Sequence, residues 1–267
     1  MKNAQEWLDK TYPKSQRKKV RNLFIDSKEN FSFDMQPFSN TPEDKHYLTT
    51  KLEKELDLSD FINLEALFIN NQKITGLKLL NCLKLTYLNC SDNELKNLNL
   101  SKLTNLKTIN CSNNLLTEID FSSQDPKELL SLHLDNNNLS CCDLSCFSRF
   151  TGLRHLYLGT DEKERINKNI YNHFFGSLED LKGLTNLAEL DINATDIDSG
   201  LEYLPTEKLY MFYCASKRQG AKVEKIKKFL GLSEKLAEEE GDGESEEKID
   251  RIKIFQGYFR ASKKFHK

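Results

Sequence analysis

Residues Leu85 to Ile119 read LTYLNCSDNELKNLNLSKLTNLKTINCSNNLLTEI, and the pattern begun at Leu85 starts again at Leu106. Leu85, Leu88, Cys90 and Asn93 of the first copy return as Leu106, Ile109, Cys111 and Asn114 of the second. In both copies positions 4 and 6 are apolar, while positions 3, 5 and 7 are polar or aromatic. That is the period-2 alternation of a short strand with one buried face. One strand of this size cannot bury its apolar side alone, so a fixed repeat of it implies coils stacked on a shared core. The same frame starts at Leu64 (LEALFINNQKI) and Leu129 (LLSLHLDNNNL), with weaker copies at Val20, Leu153, Leu187 and Leu209. Residues 20–218 are therefore expected to form a solenoid whose parallel strands line one concave face.

Asn93, Asn114 and Asn137 recur at position 9, where the chain leaves the strand. An inward amide there can satisfy backbone groups of its own turn and of the neighbouring one. Gln72, Asp161 and Thr195 stand at that position elsewhere, so those turns should be less regular. The back half of each unit, as in LNLSKLTNL, is too short for a full helix, and short strands, turns or 3₁₀ pieces are expected. Cys90, Cys111 and Cys214 fall at position 6 beside Leu134, Leu158 and Ile192 of other copies, which makes them small core hydrophobes rather than nucleophiles or ligands. Cys141, Cys142 and Cys146 in CCDLSC lack metal-ligand spacing and are read as core thiols too.

The 267 residues carry 39 Lys and Arg against 41 Asp and Glu, a net charge of −2, which gives no support to a nucleic-acid binder. No apolar run is long enough to span a bilayer, and the N-terminal stretch has charges throughout instead of a signal-peptide core. Seven cysteines, an odd number, suit a reducing, intracellular and cytoplasmic setting. The N-x-S/T triplets, such as those at Asn89 and Asn110, then read as by-products of the repeat.

Outside the regular copies, residues 1–19 are expected to form an N-terminal helical cap with Trp7 and Leu8 on its buried side, stopped before Pro13. An insertion near 31–55 should contain a helix from Pro42 to Leu56 with Thr41 as its N-cap. A second insertion, near 162–180, should form an amphipathic helix carrying Ile166, Ile170, Phe174 and Phe175 and ending at Gly176. Residues 219–232 read as a C-terminal capping helix bearing Val223, Ile226, Phe229 and Leu230. Residues 233–247 read as an acidic linker, and 248–267 as an amphipathic helix with Ile249, Ile252, Phe255 and Phe259 on one side.

Catalytic signatures are absent from the sequence: no G-x-S-x-G, H-E-x-x-H, phosphate loop or kinase catalytic loop occurs. His133 and His155, expected on adjacent strands, are the only candidates for chemistry, and a histidine on an open sheet is more often a recognition residue. The sheet instead offers a surface. Phe68 and Tyr87 form one aromatic patch, Asn89 and Asn110 a polar row, and His133, His155 and Tyr157 a second patch; Glu189 and Asp191 add acid, with Tyr213 beyond. Aromatics among small polar groups are the material of interface hot spots.

EWLDKTYP (Glu6–Pro13), LNCSDN (Leu88–Asn93) and LEYLP (Leu201–Pro205) make the chain similar to the short-period leucine-rich repeat modules of large fungal families, which stand alone or accompany a protein kinase domain. The resemblance implies an α/β class fold: a right-handed leucine-rich-repeat solenoid with a parallel sheet, irregular convex segments and helical caps. It implies a non-enzymatic protein–protein interaction module that takes a polypeptide partner on the concave sheet, monomeric, without cofactor or metal, and binding neither nucleic acid nor membrane. The alternative is a regulatory or adaptor subunit, of the kinase-signalling or ubiquitin-ligase type, docking through the amphipathic C-terminal tail.

Overall fold

Wherever the repeat frame occurs, position 4 is an apolar residue between two that face the other way, and each such triplet is a strand. The computed structural model describes residues 1–27, 44–140, 142–205 and 207–230, divided into two units, Met1–His133 and Leu134–Lys267. The acidic linker and the amphipathic tail expected from the sequence lie outside the described residues.

In the first unit β1 (Lys2–Asn3), α1 (Ala4–Thr11) and α2 (Lys14–Arg17) precede the first copy of the repeat. Then come β2 (Asn22–Ser27), β3 (Asp44–Leu48), β4 (Leu52–Asp57), β5 (Ala66–Phe68), β6 (Lys73–Lys78), β7 (Tyr87–Asn89), β8 (Thr108–Asn110) and β9 (Ser131–His133). Six of these form a parallel sheet in the order β3-β2-β5-β7-β8-β9, and β1-β4-β6 form a smaller parallel sheet. Leu67, Leu88, Ile109 and Leu132 pair in register across the large sheet and are fully buried. Cys90 and Cys111, two residues further along, are fully buried as well. Each large apolar side chain removed from water in this way contributes roughly 1.5–3 kcal/mol.

The guanidinium of Arg17, 3% exposed, fastens the start of the chain. Its Nε donates to the Tyr12 carbonyl at 3.0 Å, Nη1 to Asp60 at 3.1 Å and Nη2 to Asp9 at 2.5 Å. Leu8 of α1 is fully buried, whereas Trp7 is half-buried, edge-on to His46 at 5.2 Å between ring centres.

The second unit holds 3₁₀ turns at Leu144–Phe147, Leu178–Leu181 and Leu201–Tyr203. Its other elements are β10 (His155–Tyr157), α3 (Lys163–Asn167), β11 (Phe175–Ser177), β12 (Glu189–Asp191), β13 (Asp196–Ser199), β14 (Met211–Tyr213) and α4 (Glu224–Phe229). β10, β12 and β14 pair in parallel in that order, and β11 pairs with β13. The back segments are thus strands, turns and 3₁₀ pieces, as their length dictates. Val223, Ile226 and Leu230, around α4, are buried.

Three expectations are corrected. Residues 44–57 contain two strands instead of a helix from Pro42 to Leu56. Leu52 and Leu56 lie four apart, a spacing that fits a helix face, but Lys54 takes φ 72° and the register with β6 slips between Lys54 and Glu55. Leu56 and Leu58, an even number of residues beyond Leu52, are buried with it, while Lys54 is turned out to solvent. The helix in the second insertion ends at Asn167. Asn169 follows in the left-handed region at φ 58°, and the chain returns to extended structure where Phe174 bridges Cys142. Phe174 is buried 5.7 Å from Phe147, and Phe175 is left exposed. Cys142 is half-buried and Cys146 exposed, so neither is a core thiol.

Candidate partner-binding face

Each strand's outward residues are positioned by the turn that follows. Position 8 adopts positive φ at Asn71, Asp92, Asn113, Asn136 and Ala194, between 52° and 57°. Asn and Asp tolerate this conformation better than other side chains. Position 9 then reaches inward. The Nδ2 of Asn114 donates to the Cys90, Cys111 and Ser112 carbonyls at 3.0–3.1 Å, and its Oδ1 accepts from the Leu95 amide at 3.0 Å. Asn93 repeats the pattern one coil earlier, with Ile69, Cys90, Ser91 and Ile74. In the second unit this role passes from Asp161, which is exposed, to Asn172, which is 1% exposed. Asn172 donates to the Leu134 and Leu158 carbonyls and accepts from the Leu139 amide. The sequence frame missed Asn172, because α3 and its flanks separate it from the strand it serves. A second ladder lies just before position 1, where Asn63, Asn105 and Asn186 donate to the carbonyls of Lys18, Leu83 and Thr151.

On the outer face of the first unit, Phe68 is sandwiched between Phe24 and Tyr87, with ring centres 4.5 Å apart on both sides. Phe68 is 6% exposed, so Tyr87, half-buried, is what the patch presents. Burial pushes the Tyr87 phenol above its usual range. Asn89, Asn110 and His133 pair in register. Asn89 and Asn110 are buried, each turning its Oδ1 back to the amide two residues on, Ser91 and Ser112. They shape the strand ends instead of standing out as free contacts. His133 is half-buried, its Nε2 2.8 Å from the Ser131 hydroxyl.

His155, Glu189 and Met211 form one row across the second unit's sheet, and Tyr157, Asp191 and Tyr213 the next. Glu189 accepts a hydrogen bond from the Tyr157 hydroxyl on one carboxylate oxygen and from the Tyr210 hydroxyl on the other. The Glu189 bond, helped by burial, raises the Tyr210 phenol to about 12. Burial, with Glu189 and Asp191 nearby, raises that of Tyr213. Asp191 is 8% exposed and accepts from the Asn193 amide at 2.7 Å. Burial pushes its carboxyl up to about 7 against the pull of that hydrogen bond. Gly159 lies so close that a Cβ there would come within 2.6 Å of the Asn193 amide nitrogen. Of the ten residues the sequence marks for recognition, Phe68, Asn89, Asn110 and Asp191 are buried, and the other six are half-buried. His133 belongs to the first unit and His155 to the second.

No protein-family model matches the chain, and no curated protein does. Solved structures do. An internalin from Listeria monocytogenes, InlF, aligns over 80% of this chain and 68% of its own at 17% identity, with a TM-score of 0.52. The functional domain of InlJ from the same bacterium, which includes a cysteine ladder, aligns over 70% of this chain at 28% identity with a TM-score of 0.49. This chain spans 37% of that InlJ domain's length. The leucine-rich-repeat ectodomain of the receptor kinase GASSHO1/SCHENGEN3 from Arabidopsis thaliana, solved in complex with CASPARIAN STRIP INTEGRITY FACTOR 2, aligns over 63% of this chain and 26% of its own, at 19% identity and a TM-score of 0.42. With the strand ladders above, the InlF likeness makes this a leucine-rich-repeat solenoid fold.

Proposed function

We propose that the chain is a non-enzymatic interaction module that holds a polypeptide against its sheet faces. The observation that carries this is the division of labour along each strand. Leu88, Ile109, Leu132, Leu156 and Leu190 fill the core, and the turn asparagines saturate the backbone. Tyr87, His133, His155, Tyr157, Glu189 and Tyr213 are left part-exposed on the outer side. Aromatic side chains held rigidly offer contact area at small entropic cost. Among the described residues no disulfide joins the six cysteines, which suits a reducing intracellular location. No helix among the described residues is long and apolar enough to cross a membrane.

The test is affinity capture from native extract with the unaltered chain, a Tyr157→Ala/Tyr213→Ala double variant and a Lys96→Glu/Lys102→Glu control on the back segments. Partners lost with the first variant and kept with the control, at unchanged circular dichroism, support the reading. Partners retained by the face variant refute it.

A further inference from the structure

The sheet face of the second unit brings together negative charge and aromatic rings in a way that binding in general leaves unassigned. Glu189 and Asp191, two apart on β12, share one side of the sheet while Leu190 between them is fully buried. Glu189 is clamped by the Tyr157 and Tyr210 hydroxyls, one on each oxygen. Asp191 is more than nine-tenths buried, and among the described residues its side chain takes one hydrogen bond, from the Asn193 amide to Oδ1. No described lysine or arginine forms an ion pair with either carboxylate. Arg218 is 2.6 Å from Asp196 and lies over the Tyr171 ring, and Lys217, whose field reaches Asp191, is exposed. A buried carboxylate without a counter-cation is costly, and a ligand that supplies the cation recovers that cost. Rings beside carboxylates favour the same ligand, because a ring face attracts cations.

We propose that the Glu189–Asp191 face of the second unit is a receptor for a lysine or arginine side chain of the polypeptide partner, with Tyr157, Tyr210 and Tyr213 as its aromatic walls. This deepens the polypeptide-binding reading and rests on it. The cation pairs with ionised Asp191, and the carboxyl's elevation to about 7 makes capture pH-dependent. Affinity should rise by about tenfold between about pH 6 and pH 8 as the ionised fraction grows. The groups that face Asp191 or its row are Glu189, His155, Tyr157, Tyr213, Asp161 and Lys217. The profile is therefore also measured on His155→Gln and Lys217→Gln, which should keep it, and on Asp191→Asn, which should flatten it.

The deciding experiment pans a phage library of random short peptides against the full chain and keeps binders that Tyr157→Ala loses. These are synthesised and measured by fluorescence anisotropy against the unaltered chain, Glu189→Gln and Asp191→Asn. Both variants preserve shape; Asp191→Asn keeps the acceptor that the Asn193 amide uses, and Glu189→Gln keeps one of the two oxygens that the tyrosines use, its Nε2 donating to the other tyrosine's oxygen. The proposal expects Lys- or Arg-rich binders whose affinity falls about tenfold or more in either variant, and by a similar, non-additive factor when the peptide's cation is replaced by glutamine. Binders that need Tyr157 but carry no cation, or that ignore both variants, overturn the cation site and leave the polypeptide-binding reading standing. A library that yields no binder sensitive to Tyr157→Ala overturns both.

Discussion

A single asparagine per coil does much of the work of turning the chain. Asn114 satisfies three carbonyls and one amide that face no water, and replacing such a group strands all of them at a cost of about 1–3 kcal/mol or more. The same logic ranks Asn172 and Asp161, which the repeat frame orders the other way. Asn172→Ala should lower stability by about 2–3 kcal/mol, because the Leu134 and Leu158 carbonyls and the Leu139 amide lose their partner. Asp161→Ala should cost less than about 1 kcal/mol, since Asp161 is exposed and among the described residues its side chain bonds Asn136 alone. Urea denaturation of the two variants checks the order, and equal losses would contradict it. Asn93, Asn114 and Asn137 were legible in the sequence because they sit at a fixed offset from their strand. Asn172 was not, since the fold and not the frame delivers it to the turn.

Elements decide which chemically similar residues behave alike. The 3₁₀ turn at Leu144–Phe147 starts at Asp143, whose side chain accepts from the Ser145 amide at 3.0 Å. With three residues per turn, Leu144 and Phe147 share its inner side and Cys146 faces out. A hydrogen bond from the Cys146 thiol lowers the Cys142 thiol and raises that of Cys146, while burial pushes the Cys82 and Cys90 thiols up to about 12. Because Cys142 and Cys146 reach solvent, maleimide should modify them on the native chain, Cys142 faster than its exposure alone would give, and reach Cys82, Cys90, Cys111 and Cys214 only in denaturant, as peptide mapping by mass spectrometry will show. Native labelling of Cys90 at the rate of Cys146 would contradict the buried assignment. Periodicity alone assigned the 21-residue copies correctly, but it failed at Leu52 and Leu56. Their four-residue spacing, being even, suits one face of a strand as well as one face of a helix, and pairing with β6 selects the strand.

At the scale of the whole molecule, Asp191 gives stability a characteristic pH dependence. Its carboxyl is held near 7 by burial against 3.8 in an unfolded chain, so the native state keeps a proton that the unfolded state releases. Stability from this group is therefore fully present below about pH 4 and declines as pH rises to about 7, by up to about 4 kcal/mol. Asp191→Asn keeps the acceptor for the Asn193 amide and has no proton to lose. The melting temperature of the variant minus that of the unaltered chain should thus increase from about pH 5 to pH 8 by scanning calorimetry. A difference that is flat with pH would show that Asp191 ionises without penalty. Taking the difference cancels His173, whose pKa burial lowers with help from Arg218, and which acts in the opposite direction.

The amino-acid sequence alone determined the repeat, the strand at each copy, the inward leucines and the burial of Cys90, Cys111 and Cys214, because these follow from a local period that every copy restates. It pointed the outer residues away from the core, but direction is not exposure. Parallel strands lie about 4.8 Å apart, so the cover over an outward side chain comes from neighbouring coils. Phe24 and Tyr87 close over Phe68 from coils on either side, and Tyr157 and Tyr210 clamp Glu189 beside a sunken Asp191. Those contacts join residues tens of positions apart, and only the tertiary structure brings them together.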